Sequence, residues 1–287
     1  LAGFMKSTGV VAAAAVIGIA INLSSLYHTW QYQKESMRGK SELVKKDAAN
    51  QTSSGLDRDY ITQWSYGIDE TLTLLVPDAK GGATVPLSKN ATAMAKADPQ
   101  IQSMIPQLYD AIPQYFGTQP GTSGPVYVGA FVLFLFILGL FIVRGSMKWA
   151  LLAATVLSVL LAWGHNFMGF TNFFLDYIPM YAKFRTVASI LVIAEFTIPL
   201  LAALALKKIV DEPEVLTKQM KFVYISLALT AGVALLIGLF PGMMEPFVSD
   251  QERQMITSIQ GMDGNTANTI LSNIAAMREA MVSADAW

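Results

Sequence analysis

Five stretches of this chain are too long and too poor in charge for an ordinary water-soluble fold. Ser7 to Tyr27 carries no charged side chain, and neither does Gly117 to Val143, whose apolar part begins at Val126 and reads VYVGAFVLFLFILGLFIV. Trp149 to Gly164 is a shorter third run, Thr186 to Leu206 a fourth interrupted only by Glu195, and Phe222 to Phe240 a fifth. A bilayer core about 30 Å thick takes roughly 20 apolar helical residues to cross. Inside it, backbone polar groups must be satisfied within a helix or a closed barrel, and none of these runs alternates as barrel strands do. The fold expected is an all-α polytopic membrane protein with about five transmembrane helices. Composition agrees: only 14% of the residues are charged, against roughly 25% in an average soluble domain.

The same runs divide the chain. Residues 1–27 read as the first span, 28–125 as a mostly helical extracytoplasmic loop domain, 126–240 as spans two to five, and 241–287 as an extracytoplasmic amphipathic helical segment. In the last piece Met255, Ile259 and Met262, then Ile270, Ile274, Met277 and Met281, recur at helical spacing on either side of a DGN break. Lys and Arg in short loops set orientation. Arg144 and Lys148 between spans two and three, and Lys207, Lys208, Lys218 and Lys221 between spans four and five, put those loops and, by alternation, the N-terminus on the cytoplasmic side of the membrane. The 28–125 loop then faces outward, and its cluster of Lys34, Arg38, Lys40, Lys45 and Lys46 calls for an anionic partner. The chain starts at Leu1 and stops at SADAW, and it reads as an internal piece of a longer protein.

Several chemistries are excluded early. There is no cysteine, hence no disulfide framework and no thiolate metal site. His28 and His165 are the only histidines and are not at metal-ligand spacing, so no metal is assigned. No phosphate-cradling glycine loop or nucleophile elbow is present. A net charge of −1 gives no basis for a nucleic-acid partner.

Three groups of residues remain as candidates. Lys183 and Arg185 stand at the lip of the fourth run. They read either as anchors whose stems lie along apolar surface while the charges reach the headgroups, or as a site for the phosphate of a lipid-linked donor, favoured by the Arg fork and a helix N-terminus. Glu195 lies near the middle of the same run, where a carboxylate is costly, with Pro199 four residues later removing an N–H and favouring a bend. It reads as a group hydrogen-bonded between helices or lining a polar cavity. In the loop, Glu35, Arg38, Asp57, Asp59 and Glu70 are interleaved with Tyr60 and Trp64. Aromatic faces beside carboxylates suit a sugar or acceptor, whereas the plainer reading is a packed domain with solvated charges.

Four blocks, NLSSLYHTWQYQKESMRGKSEL, GLDRDYITQWSYGIDETLTLLVP, QPGTSGPVYVGAFVLFLF and YIPMYAKFRTVASILVIAEFTIPLLAALAL, occur in this order. Together they resemble the bacterial YfhO-like membrane protein family over essentially the whole chain. That family is similar to the GT-C class of glycosyltransferases, which take a sugar from a polyprenyl-phosphate carrier and place it on an acceptor at the outer face. The resemblance implies a donor that is a polyprenyl-phosphate-linked sugar, a cell-envelope glycan or lipid as acceptor, no nucleotide sugar and no further cofactor. It also implies a catalytic carboxylate in an outer loop upstream of these residues. The family's FR element falls on Phe184 and Arg185, which agrees with the phosphate reading. Two other classes stay open: a transporter or channel component using Glu195 and Pro199, and a noncatalytic scaffold for envelope assembly.

Overall fold

The computed structural model describes residues 2–36, 49–52, 56–259 and 262–287, and among these it is helical without a named strand. Contacts divide the chain into two units: Leu1–Thr62 with Asn172–Arg185, and Gln63–Thr171 with Thr186–Trp287.

In the first unit, α1 (Ala2–Ile21) leads into α2 (Leu23–Lys34). The join is nearly continuous, because the Asn22 amide nitrogen donates to Gly18 O and Leu26 N donates to Asn22 O. Every side chain from Gly3 to Ile21 is exposed. A helix apolar on all sides and packed on nothing is stable only in lipid or among other helices. Tyr27, Trp30 and Tyr32 follow, with the Lys34 ammonium 3.6 Å from the Trp30 ring centroid, an arrangement suited to the headgroup level.

The second unit contains a helical bundle: α3 (Ala130–Ile142), α4 (Met147–Ala162), α6 (Val192–Asp211) and α7 (Met220–Leu239). The intervening α5 (Met168–Tyr177) crosses the division between the units. The closest packing is α3 on α6. A Cβ on Gly139 would lie 3.1 Å from Leu201 Cγ and 3.2 Å from Ala205 Cβ, so the glycine sets the approach of the two helices. Thr155 of α4 and Thr197 of α6 join their hydroxyls at 2.7 Å. In α7 a π-turn over Ala228–Gly232 interrupts the α-helix, and Thr230 there donates to Ser226 O.

Each bundle helix has one end in the rest of this unit, a head formed by residues 63–125 and 241–287. Thr73 Oγ1 donates to Val126 O ahead of α3, Tyr66 N donates to Ala162 O at the end of α4, Ala188 N donates to Trp64 O ahead of α6, and Ser283 Oγ donates to Gly238 O at the end of α7. The opposite ends carry the short loops. There a cleft of about 520 Å³ is bordered by Ile142, Arg144, Lys208, Glu212, Glu214 and Lys218. The two basic connections read from the sequence therefore lie together at the end of the bundle away from the head.

The number of spans is smaller than expected from the uncharged runs. By length and composition, Gly3–Ile21, Val187–Asp211 and Met220–Leu239 can cross a membrane, with a fourth if Met147–Ala162 and Gly164–Tyr177 count as one broken span. Those two helices are bent by 107°. At the bend Gly164 has φ +45°, and a Cβ on it would lie 2.0 Å from Ser65 Oγ, so Ser65 of the head lies against the chain where it turns and leaves no room for a side chain. The second run is helical over only 13 residues, about 20 Å, because the chain from Val126 to Gly129 is not helical and Gly129 takes φ +95°.

The 28–125 loop is likewise divided, between Thr62 and Gln63. Its second half is bound to α9 (Gly264–Ala286), which follows α8 (Asp250–Thr257). Asn273 of α9 accepts from the Tyr109 hydroxyl at 2.6 Å and from Asp98 N at 3.2 Å, and its amide donates to Lys96 O. Ile270, Ile274, Met277 and Met281 form the buried face of α9. Replacing Gly139 by leucine is expected to force α3 and α6 apart and lower stability by about 1–3 kcal/mol. Thermal unfolding of the detergent-solubilised protein measures this, and an unchanged midpoint would show that the helices do not meet at this residue.

Candidate functional site

The segment from Pro179 to Arg185 is built from tight, partly strained backbone. Met180 has φ +68°, a left-handed conformation that costs a non-glycine residue about 1–2 kcal/mol. It caps a single 3-10 turn over Tyr181–Lys183, after which Phe184 is extended. The segment is tied to the first unit by Leu56 N donating to Ala182 O at 3.0 Å. Such strain concentrates at functional positions and is held by the surrounding structure.

On this frame Arg185 is exposed. Its Nη1 donates to the Tyr60 hydroxyl at 2.6 Å, and the guanidinium carbon lies 5.4 Å from the Tyr60 ring centroid. The phenol oxygen braces one edge of the fork and so fixes its plane. Lys183, half-buried, borders a cavity of about 190 Å³ together with Asp176, Tyr177, Pro179 and Met180. That volume falls short of the roughly 300–1,000 Å³ of pockets for drug-sized ligands. Nearby in the same unit, Arg58 donates to Asn172 Oδ1 at 2.7 Å and to Asp176 Oδ1 at 2.5 Å. Arg58 was not singled out as a candidate, although the DRD triplet offers a signal, a cation between two carboxylates.

One element of the phosphate reading changes. Lys183 and Arg185 do not stand at the first turn of an α-helix, because a 3-10 turn over Val187–Leu191 precedes α6, which begins at Val192. The dipole effect is confined to the first turn of a helix, so any attraction for an anion here comes from the side-chain charges.

The remaining sugar or acceptor candidates are divided between the two units. Glu35 and Asp59 are exposed and Asp57 is half-buried in the first unit, whereas Trp64 and Glu70 belong to the second. Arg38 lies outside the described residues. Glu70 is 3% exposed, and its carboxylate accepts from Gly67 N at 2.9 Å, the Tyr115 hydroxyl at 2.9 Å and the Gln119 amide at 3.0 Å. Burial raises its pKa against the pull of these donors. Glu70 therefore organises the head rather than presenting acceptors to a sugar. Tyr66, bonded to Thr73, has its pKa raised by burial and then by Glu70 and Glu195.

Glu195, expected between helices or in a cavity, is on the exposed side of α6, and the helix runs unbroken through Pro199. Among the described residues no three His, Cys, Asp or Glu side chains come together to hold a metal.

No family model, curated protein or solved structure matches this chain.

A second electrostatic feature of the head is the approach of Asp78 and Asp285, where Asp285 Oδ2 accepts the Asp78 N–H at 2.7 Å. Burial, then the Asp285 charge, raises the Asp78 pKa from 3.8 to about 6. An acid whose folded pKa is raised contributes stability below its unfolded pKa and loses it as pH rises through the folded value. Asp78→Asn removes that loss. The substitution is expected to stabilise the protein by about 1–3 kcal/mol at neutral pH and to leave it unchanged near pH 4. Thermal unfolding at the two pH values provides the check, and equal shifts would exclude titration as the cause.

Proposed function

We propose that this chain is part of a YfhO-like, GT-C-type glycosyltransferase of the bacterial cytoplasmic membrane. It moves a sugar from a polyprenyl-phosphate carrier to a cell-envelope glycan or lipid at the outer face. The catalytic carboxylate lies upstream of these residues, and this part supplies the carrier-side scaffold. The observation that carries the reading is the exposed Arg185 guanidinium braced by the Tyr60 phenol, two residues from Lys183 and directly before an apolar span. Departure of a polyprenyl phosphate places negative charge on its oxygens, and fixed cations stabilise that charge best where water is sparse. A general base on the acceptor hydroxyl completes the chemistry. The acceptor side falls to the head and to the aromatic residues of the 28–125 loop.

A transport pathway through the bundle is less well supported. It would have Glu195 lining an interior passage, and that carboxylate is on the outward side of α6. A noncatalytic scaffold would share the architecture and lack the carrier.

The full-length protein with Arg185→Lys or Arg185→Ala separates the readings. A plain anchor tolerates lysine, since either side chain reaches the headgroups. A bidentate phosphate site does not, because lysine offers a point charge in place of a fork. Loss of a charge-assisted bond costs about 1.5–3 kcal/mol, so carrier-lipid binding and glycan transfer at matched expression are expected to fall about 10-fold to more than 100-fold. Wild-type behaviour of Arg185→Lys would rule out the phosphate site.

Sidedness is tested independently. The basic short loops place Lys148 in the cytoplasm and Lys89 outside, and the chain contains no cysteine. A single cysteine at 89 is expected to react with an impermeant thiol reagent in intact cells, and one at 148 only after the membrane is opened. The reverse pattern would invert the orientation.

A further inference from the structure

The cleft at the short-loop end of the bundle stands at the level where two apolar spans end. It opens between the last residues of α3 and α6 and the 212–219 connection, and that connection joins Val187–Asp211 to Met220–Leu239. In a membrane, a cleft at this level is bathed by the headgroup layer. Its volume of about 520 Å³ falls within the roughly 300–1,000 Å³ of small-molecule sites. Phe141, Ile142 and Val215 give it an apolar side, and the Phe141 ring is held by stacking on Phe222 with centroids 4.4 Å apart.

One charge at the cleft has no structural task. Lys208 pairs with Glu212 and Lys218 with Glu214, each at 2.5 Å, and Asp211 is paired at 2.5 Å with Lys207, which is not part of the lining. The last carbonyls of α3 are served by Val143 N, which donates to Gly139 O, and by Lys148 Nζ, which donates to Leu140 O at 2.6 Å. Arg144 is left over. It is exposed beside Gly145, which takes φ +101°, and among the described residues it makes no hydrogen bond or ion pair. Its charge reaches Glu212 only beyond ion-pair distance. The carboxylates, for their part, are not exhausted. The lysines are bonded to Asp211 Oδ2, Glu212 Oε1 and Glu214 Oε2, and the second oxygen of each group stays open.

We propose that this cleft binds the headgroup of a membrane phospholipid that carries a primary amine, with its phosphate on the Arg144 fork and its ammonium among the open oxygens of Asp211, Glu212 and Glu214. Arginine meets phosphate oxygens with two parallel N–H bonds, and basic pockets between membrane helices take lipid headgroups. The charges of the lining select which headgroup. Arg144, Lys208 and Lys218 are balanced by three carboxylates, so a lipid of net negative charge meets a repulsion that a zwitterion turns into attraction. A quaternary ammonium has no N–H to give those oxygens, whereas a primary one has three. Exposed ion pairs of this kind contribute little, so the carboxylates can be shared with the incoming amine at small cost. Neither the orientation of the protein nor the reaction it serves enters this argument.

The test uses the full-length protein, stripped of lipid in detergent and titrated with phosphatidylethanolamine, phosphatidylcholine or phosphatidylglycerol of identical acyl chains, with bound lipid counted by native mass spectrometry. One phosphatidylethanolamine per chain is expected to bind at least about 10-fold more tightly than either of the others, and Arg144→Gln to remove that advantage. Lys221→Gln serves as the control, because Lys221 lies over the Phe222 ring and outside the cleft lining; it is expected to leave the affinity unchanged. Inorganic phosphate is added in a separate arm and is expected not to displace the lipid. Equal affinity for the three lipids would overturn the proposal, as would wild-type binding by Arg144→Gln or an equal loss with Lys221→Gln. Displacement by inorganic phosphate would reduce the cleft to a site for the free anion and overturn it too. Should Arg144→Gln fail to accumulate, the headgroup series on the wild-type chain still decides.

Discussion

The head depends on one buried cation. Arg278, near the middle of α9, has no exposed side-chain surface, and its guanidinium is held on two edges. Nη1 donates to Phe247 O at 2.6 Å and to Glu252 Oε2 at 2.9 Å, while Nη2 donates to Pro113 O at 2.5 Å and to Glu252 Oε1 at 2.6 Å. Three segments distant in sequence meet on one planar fork, which a lysine could not hold. Glu252 is itself fixed, because it accepts from Ser249 N and Oγ while Ser249 caps α8 in return. Burial pushes the Glu252 pKa up, but the Arg278 bond and charge together with Ser249 outweigh it and hold it below the usual carboxylate range. A buried pair of this kind does not guarantee stability, since desolvation offsets much of the attraction. What it contributes here is register: apart from α9 the head is made of short helices and turns, and without a sheet ladder it has few other ways to fix where its loops cross.

Lys80 repeats the device at smaller scale. It is 3% exposed, donates to Met244 O at 2.6 Å and pairs with Asp69 at 2.6 Å. Met244 follows α7, and Asp69 begins the turn that leads to Thr73 and its bond to Val126 ahead of α3. At the C-terminal ends of α4 and α7 the head also meets carbonyls that the helices leave unsatisfied, Tyr66 N donating to Ala162 O and Ser283 Oγ to Gly238 O. Trp163 adds a side-chain bond at the end of α4, donating to Thr71 Oγ1 of the head at 2.9 Å.

These contacts explain what the sequence does and does not disclose. Apolar runs and the stripe Ile270, Ile274, Met277, Met281 are local signals, and they mark helices correctly because burial in lipid or in the core depends on each residue alone. The ends of the runs are not local. Trp149 to Gly164 reads as a span on the short side, and where it ends Ser65 is pressed against Gly164, a contact about a hundred residues apart in the chain. Val126 to Val143 reads as a full span, but its first turn is lost to a glycine with positive φ. Arg278 and Lys80 carry no sequence mark at all: each is an ordinary basic residue until the carbonyls that surround it are brought together by folding. Glu70 misled in the opposite direction, since an acidic residue among aromatics reads as open to a ligand and is in fact filled by three internal donors.

The two arginines show why charge in this chain has to be read with its surroundings. Arg278 is surrounded by carbonyls and a carboxylate, and every contact it makes serves the head. Arg185 has the same fork on the exposed side of a strained turn, next to a phenol that orients it. A strained segment is kept only where surrounding contacts hold it against relaxation, and plain attachment to a headgroup would be served by any long cationic stem on relaxed backbone. The left-handed Met180 and the phenol brace therefore favour a directional task for Arg185, that of meeting a planar or tetrahedral anion at a set angle. The proposal that a carrier phosphate meets this edge of the apolar span rests on that geometry, whereas Lys207, Lys208 and Lys218 of the short loops stand on regular helix and face Asp211, Glu212 and Glu214 one helical turn away.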